Sequence, residues 1–239
     1  MALPKLAVST HNLSVPSTGK TVKYRPYLVK EEKILMMAIE SESEVEMINA
    51  IKNIIESCTD GALTEKDLTM FDLEYFFAQL RAKSVGEHSN VYATCSKCEH
   101  KQETSIDISQ ASVIGVPKKN SEYIKSINED IKIKLKYPKI DAVTRILEKS
   151  KGMSDIDLAY KFIANSIEEV YQGEEIFDAS EQSEKELLEF VESMSTKQFS
   201  EIRDFIENAP TVSLKHEFTC DSCKHENQMN LKGLADFFG

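Results

Sequence analysis

The sequence lacks the features of a secreted or membrane-spanning protein. It contains no apolar run of roughly eighteen residues, so no transmembrane helix is predicted. The first residues, Met1 to Lys5, include no apolar core of the kind found in signal peptides, and we expect no such peptide. Glycine and proline are scarce, at 8 and 6 of 239 residues, and no low-complexity linker divides the chain.

The chain also lacks a positive charge balance. Its 29 basic residues face 40 acidic ones, which gives a formal net charge of −11. Such a surface repels phosphate backbones and anionic lipid, so nucleic acid and membranes are disfavoured as partners, although a local basic patch is compatible with this total. The length allows one large domain or two modest ones with a real core.

Cysteine is rare, yet four of the five cysteines fall in two copies of one motif. The pattern Thr-Cys-x-x-Cys-x-His occurs at residues 94–100, the first knuckle, and again at residues 219–225, the second knuckle. Two distant Cys-x-x-Cys turns supply the four thiolates of a tetrahedral zinc site. The spacing therefore predicts one structural Zn²⁺ bound by Cys95, Cys98, Cys220 and Cys223, and thiols in this pattern suit a reducing compartment.

Two other uses of the knuckles remain open from the sequence. A redox pair favours a strand-to-helix turn in an electropositive setting, whereas both knuckles lie between β-prone stretches. A catalytic zinc needs an open coordination position, and His100 or His225 would have to replace a cysteine ligand. The closed four-cysteine site is the interpretation that we favour.

Hydrophobic periodicity predicts an α+β fold, with helices, short antiparallel hairpins and a zinc-ribbon-like site formed by the two distant knuckles. We expect residues 1–110 to carry the first knuckle and residues 111–239 the second, as one compact unit closed by the shared zinc. The predicted helices are 30–38, 43–57, 68–84, 139–149, 155–170, 183–194 and 196–208. The predicted strands are 13–15, 21–24, 90–93, 103–108, 123–127, 131–137, 211–218 and 230–232, with a small hairpin at 168–177 and a loop at 115–120.

No catalytic or small-molecule site is predicted. Gly19-Lys20-Thr21 resembles the end of a phosphate-binding loop, but Ser14 stands where that loop requires glycine, so a hairpin turn is favoured. Cys58 is predicted to be a structural thiol. Carboxylate pairs such as Glu168 and Glu169 have no polarising partner nearby in the sequence, and solvated charge is their default interpretation.

Four strings of residues resemble one protein family. They are MALPKL at 1–6, PSTGK at 16–20, YRPYLVKEEK at 24–33 and FFAQLRAKSVGE at 76–87. Together they resemble the baseplate hub assembly family of T-even-like contractile-tailed bacteriophages. The resemblance covers about residues 3–110 and continues mainly through the second knuckle.

The resemblance implies a non-enzymatic structural or chaperone-like protein that helps to build the central hub of the phage tail baseplate. Its implied partners are other baseplate hub proteins, and its implied location is the host cytoplasm during assembly, with the virion tail baseplate as a further location. The aromatic helix around Phe71 to Leu80 and the N-terminal segment are then hypothetical contact surfaces. An intracellular zinc-ribbon regulator that binds nucleic acid is the alternative, which the net charge disfavours.

Overall fold

A computed structural model describes residues 7–116, 123–150 and 152–233 and shows the predicted α+β fold. The described residues form seven α-helices and several small antiparallel sheets. The helices are α1 (Val29–Glu40), α2 (Glu44–Cys58), α3 (Met70–Ser84), α4 (Ile140–Glu148), α5 (Asp155–Asn165), α6 (Glu184–Glu192) and α7 (Thr196–Glu207). The strands are β1 (His11–Ser14), β2 (Thr21–Tyr24), β3 (His88–Thr94), β4 (Lys101–Asp107), β5 (Ser112–Ile114), β6 (Ile124–Ser126), β7 (Ile131–Leu135), β8 (Ile167–Gln172), β9 (Glu175–Asp178), β10 (Thr211–Thr219) and β11 (Glu226–Lys232).

The chain groups into two compact units. Unit 1 combines Met1–Ile114 with Thr211–Gly239, and unit 2 is Gly115–Pro210. Strands β10 and β11 thus belong with the N-terminal half, because β10 pairs with β5. The predicted division at residue 110, with a shared zinc closing both parts into one compact unit, stays a prediction.

Helix α3 forms the centre of unit 1. Phe76, Phe77 and Leu80 are fully buried, as the crowding of apolar residues on more than one face predicted. Tyr24 packs edge-on against Phe76 with ring centroids 5.4 Å apart, and Tyr27 stacks on Phe77 at 6.5 Å. These aromatic rings are core, whereas the hypothesis that residues of this helix contribute to a partner contact stays a prediction.

Helix α1 is anchored at its first turn by a buried carboxylate. Glu31 is 3% exposed, and its oxygens accept hydrogen bonds from Arg25 Nη2 at 2.9 Å and from the Leu28 backbone N–H at 2.8 Å. Burial opposes the charge, but the hydrogen bonds from Arg25, Leu28 and Lys30 outweigh it and lower the pKa of Glu31 to about 2. The carboxylate is therefore ionised at neutral pH and fixes the entry into α1.

A shared apolar cluster holds two hairpins side by side in unit 1. Strands β3 and β4 form one hairpin, and β11, β10 and β5 form a three-stranded sheet in that order. Ile106 of β4 and Val212 and Leu214 of β10 bury their side chains in one cluster with Ala78 and Ala82 of α3. This packing brings the two knuckles, each of which connects the strands of its hairpin, to neighbouring positions.

Unit 2 is a four-stranded sheet, in the order β6-β7-β8-β9, with helices packed on it. Its core includes Ile133, Leu135, Ile163 and Ile202. Helix α5 ends at Asn165 instead of continuing to residue 170, because Ile167 begins a strand that pairs with β7. The β-branched side chains of Ile167 and Val170 favour this pairing.

Two further expectations concern turns and short strands. Gly19 has a φ of +69° in the turn between β1 and β2, which confirms the hairpin and removes the phosphate-loop interpretation. Strand β5 was not predicted, since three residues are too few to show a period. The predicted loop at 115–120 falls mostly outside the described residues.

Candidate metal centre

The two knuckles have the same local geometry. In the first, Cys95 N–H donates to the His100 carbonyl at 2.9 Å and Glu99 N–H donates to the Cys95 carbonyl at 3.0 Å. In the second, Cys220 N–H donates to the His225 carbonyl and Lys224 N–H to the Cys220 carbonyl, both at 2.9 Å. Each knuckle is thus a tight loop that points both of its thiols to one side.

A left-handed residue closes each knuckle. Glu99 has a φ of 58° and Lys224 a φ of 59°, a conformation that usually favours glycine or asparagine. Such a residue persists only where the surrounding contacts require it, and here it turns the chain back into β4 and β11. The matching angles at matching positions show that the two loops share one backbone conformation.

The four thiols form a compact cluster. All four Sγ atoms lie within 4.8 Å of one another, with Cys95 to Cys223 and Cys98 to Cys220 each at 3.6 Å. A disulfide needs about 2.05 Å, so the cysteines are free thiols. Four sulfurs at about 2.3 Å from a central ion would be about 3.8 Å apart at the edges of a tetrahedron. The spacing fits a four-cysteine metal site.

Two amide side chains clasp the knuckles to each other. Asn227, which follows Cys220 by seven residues, accepts hydrogen bonds at Oδ1 from the Ser96 N–H and hydroxyl, both at 2.9 Å. Gln102, which follows Cys95 by seven residues, accepts at Oε1 from the Asp221 N–H at 2.8 Å. Each hairpin therefore supplies one amide that holds the loop of the other, in a pseudo-twofold arrangement.

Asn227 also reaches a sulfur. Its Nδ2 lies 3.6 Å from Cys95 Sγ and donates to the His225 carbonyl at 2.9 Å. Burial raises the pKa of the Cys95 thiol, but hydrogen bonds from the N–H groups of Lys97 and Cys98, from the Asn227 amide and from the Cys223 thiol outweigh it and lower that pKa to about 6. Donors of this kind stabilise the thiolate, which is the form that binds metal.

The ligand set contains sulfur only. Among the described residues, the four cysteines form the one group of three or more metal-ligating side chains, and neither His100 nor His225 belongs to it. Cys95 and Cys220 are buried, Cys223 is half-buried and Cys98 is exposed. Four thiolates fill a tetrahedral shell, so the cluster can hold a metal ion with no position left for a substrate.

Other candidate residues lie apart from the cluster. Cys58 is 1% exposed in the core of unit 1, and burial raises the pKa of its thiol to about 11. It is therefore protonated and inert at neutral pH. Glu168 and Glu169 form ion pairs with Lys134 at 3.0 and 3.5 Å, an arrangement typical of a surface charge network.

The Cys-x-x-Cys motif did not reveal the two amide residues that clasp the knuckles. Asn227 and Gln102 lie outside both Cys-x-x-Cys turns, and their partners are far away in the sequence. The signal that could have found them is their equal offset of seven residues from the first cysteine of each knuckle.

Comparison with known proteins assigns the family. No helix among the described residues is long and apolar enough to cross a membrane. No significant match was found among curated proteins or among solved structures. A family model described as T4 bacteriophage base plate protein matches residues 8–239. With a match over nearly its whole length, the chain belongs to the T4 bacteriophage base plate protein family.

Proposed function

We propose that this chain is a non-enzymatic structural or chaperone-like protein in the assembly of the central hub of the phage tail baseplate. The family match over residues 8–239 is the observation that carries the baseplate role. The resemblance of residues 3–110 to hub assembly proteins supports the hub as the place of action. Other hub proteins are then its partners, and it acts in the host cytoplasm during assembly, with the virion tail baseplate as a further location.

A single structural zinc ion, bound by Cys95, Cys98, Cys220 and Cys223, completes the proposal. Sulfur-only tetrahedral sites bind zinc or iron. The proposed role is structural and requires no electron transfer, which favours zinc because this ion has no redox chemistry. A structural zinc contributes an apparent binding free energy of roughly 10–16 kcal/mol at neutral pH. That energy adds to the shared apolar cluster in holding together two hairpins that are distant in the sequence.

The closed coordination shell supports a structural role for the metal. Catalytic zinc keeps one position for water or substrate, whereas four thiolates leave none. The amides of Asn227 and Gln102 hold the loops from outside the shell, as second-layer partners of structural metals do. The function of the protein then lies on the surfaces that this centre supports.

Loss of the gene product tests the hub role. An amber codon early in the gene, in phage grown on a non-suppressing host, should leave baseplate parts that lack the central hub in electron micrographs. Expression of the intact chain from a plasmid should restore complete baseplates. Normal hub-containing baseplates in the mutant would contradict the proposal, and mass spectrometry of purified virions would separate a resident subunit from a transient chaperone.

Metal analysis tests the zinc independently. The purified protein should be colourless and carry about one zinc per chain. A Cys98→Ser variant should lose stoichiometric zinc, while Cys58→Ala, the matched change at the fifth cysteine, should keep it. Visible absorption with bound iron would show that the ion is different.

A further inference from the structure

Helix α1 exposes apolar side chains on its outer surface. Met36 and Met37 are each 60% exposed, Ile39 is 52% exposed and Ile34 is 45% exposed. Ala38 is the only apolar residue of this helix that is buried. Several large apolar side chains exposed on one helix indicate a site of interaction more strongly than one such residue does, because single exposed apolar residues are common.

This helix borders a groove in unit 1. The groove has a volume of about 910 Å³ and lies among α1, α2, α3 and the start of β3. Its lining includes the buried side chains of Ile48, Ile51 and Phe77 and the exposed or half-buried Met36, Ile39 and Met47. The volume lies within the roughly 300–1,000 Å³ range of ligand-binding pockets, and methionine adapts well to varied partners.

The walls of the groove favour a helical occupant. Most of the lining comes from three helices, whose backbone N–H and C=O groups are used within the helices themselves. A segment that enters such a groove must satisfy its own backbone hydrogen bonds, and a helix does so. Helix-in-groove binding uses apolar residues at positions i, i+3 or i+4, and i+7 of the bound helix.

The excess of negative charge around the groove favours a basic occupant. Four carboxylates line it, from Glu32, Glu42, Glu44 and Glu74, against the two cations of Arg81 and Lys232. Glu32, Glu42 and Glu44 form no ion pair among the described residues. The chain as a whole carries −11, so a second copy would bring another acidic surface to this one. Charge complementarity therefore favours a different protein with lysine or arginine beside its apolar face.

We propose that this groove is the docking site for an amphipathic helix of another baseplate protein, with lysine or arginine residues flanking the apolar face. The apolar residues fill the space beside Met36 and Ile39, and the flanking cations pair with Glu32, Glu42 and Glu44. The proposal goes beyond the hub role and the zinc, and it depends on neither.

Site-specific photo-cross-linking in infected cells tests this proposal with the full chain. Benzoyl-phenylalanine is placed at Met36 and, as a control of similar exposure, at Ile156 on α5. We expect a cross-link from position 36, absent from position 156, to a segment of another baseplate protein with the apolar spacing and flanking cations described above. Cross-links to a second copy, within one chain, or to a segment without that pattern would overturn the proposal, as would labelling no stronger than at position 156.

The captured segment then allows a quantitative test. As a synthetic peptide it should bind the wild-type chain, and both Met36→Glu and Glu44→Lys should weaken that binding at least tenfold. A peptide with its lysines changed to glutamates should bind Glu44→Lys better than it binds wild type. Both variants alter exposed side chains, and unchanged circular dichroism and metal content would show that they fold. Equal affinity for all three proteins would overturn the proposal.

Discussion

Removal of the Asn227 side chain should weaken the metal centre without touching a ligand. Asn227→Ala deletes the acceptor for the Ser96 N–H and hydroxyl and the donor to Cys95 Sγ, which together are three contacts to the opposite knuckle. A hydrogen bond contributes roughly 0.5–1.5 kcal/mol net, and water can replace the lost partner at the exposed Ser96. We therefore expect a loss of about 2 kcal/mol, which corresponds to roughly 30-fold in metal affinity.

Competition with a chromophoric zinc chelator measures this affinity directly. The expected loss lies within the roughly 10–100-fold range seen for second-layer partners of metal ligands. Asn227→Asp is the diagnostic companion, because it keeps an oxygen for Ser96 but removes the Nδ2 donor and places a negative charge beside a thiolate. It should bind zinc more weakly than Asn227→Ala.

The matched control is Gln228→Ala, one residue along β11, where the side chain is exposed. This variant should bind zinc within about twofold of wild type. An Asn227→Ala variant that also stays within twofold would refute the reasoning, since the clasp would then contribute nothing to the site. Gln102→Ala, which removes the reciprocal amide, should lower the affinity less, because Gln102 is only half-buried.

Three further predictions concern the fold and the cluster. Glu31→Gln should lower the free energy of unfolding by about 3 kcal/mol at pH 7, because the pKa of Glu31 falls from 4.5 to about 2 in the fold. A carboxylate whose pKa is lowered in the fold stabilises the fold above pH 4.5, and this stabilisation is lost as the pH falls toward 2. The free energies of unfolding of wild type and Glu31→Gln, measured by urea titration, should therefore converge at low pH. A difference that stays constant with pH would contradict this account. Phe76→Ala should cost about 3–5 kcal/mol in thermal or urea unfolding, since the ring is fully buried, and a loss below about 1 kcal/mol would show a loosely packed core. Cys98→Ser should abolish stoichiometric metal binding while Cys58→Ala leaves it intact, as metal analysis of both variants would show; retention of the metal by Cys98→Ser would exclude that cysteine as a ligand.

Local signals in the sequence predicted most elements of the fold. Ser43 was proposed as the N-cap of α2, and its hydroxyl accepts from the Glu46 N–H at 3.3 Å. The strict alternation at residues 131–137 predicted β7, and Gly173 marks the turn of the small hairpin formed by β8 and β9. These features depend on neighbours in the chain, so one sequence is enough to find them.

Features that depend on distant contacts were harder to predict. Helix α5 ends before Ile167 because Ile167 pairs with β7, and no residue within the helix indicates this pairing. Asn227 holds the first knuckle by accepting a hydrogen bond from Ser96, which lies in the other hairpin. The predicted helix at 30–38 carries an apolar stripe, yet Met36 in that stripe is exposed, because a period in the sequence shows which residues share a face but not what covers it.

The clustering of the four cysteines was the feature that sequence spacing predicted best. Cysteine has few common roles, and two Cys-x-x-Cys turns restrict them further. The two Cys-x-x-Cys turns come together because their hairpins pack side by side on the shared core of α3, β4 and β10. This packing forms the cluster of Cys95, Cys98, Cys220 and Cys223. The identity of the ion depends on chemistry outside the chain.

Metal analysis of the purified chain, combined with chelation, is the most direct test of the structural centre. We predict about one zinc per chain, and its removal by a strong chelator should abolish the near-ultraviolet circular dichroism of the tyrosines in unit 1 and restore it when zinc is added back. A protein without stoichiometric zinc, or one that loses its zinc and keeps its tertiary signal unchanged, would contradict the account.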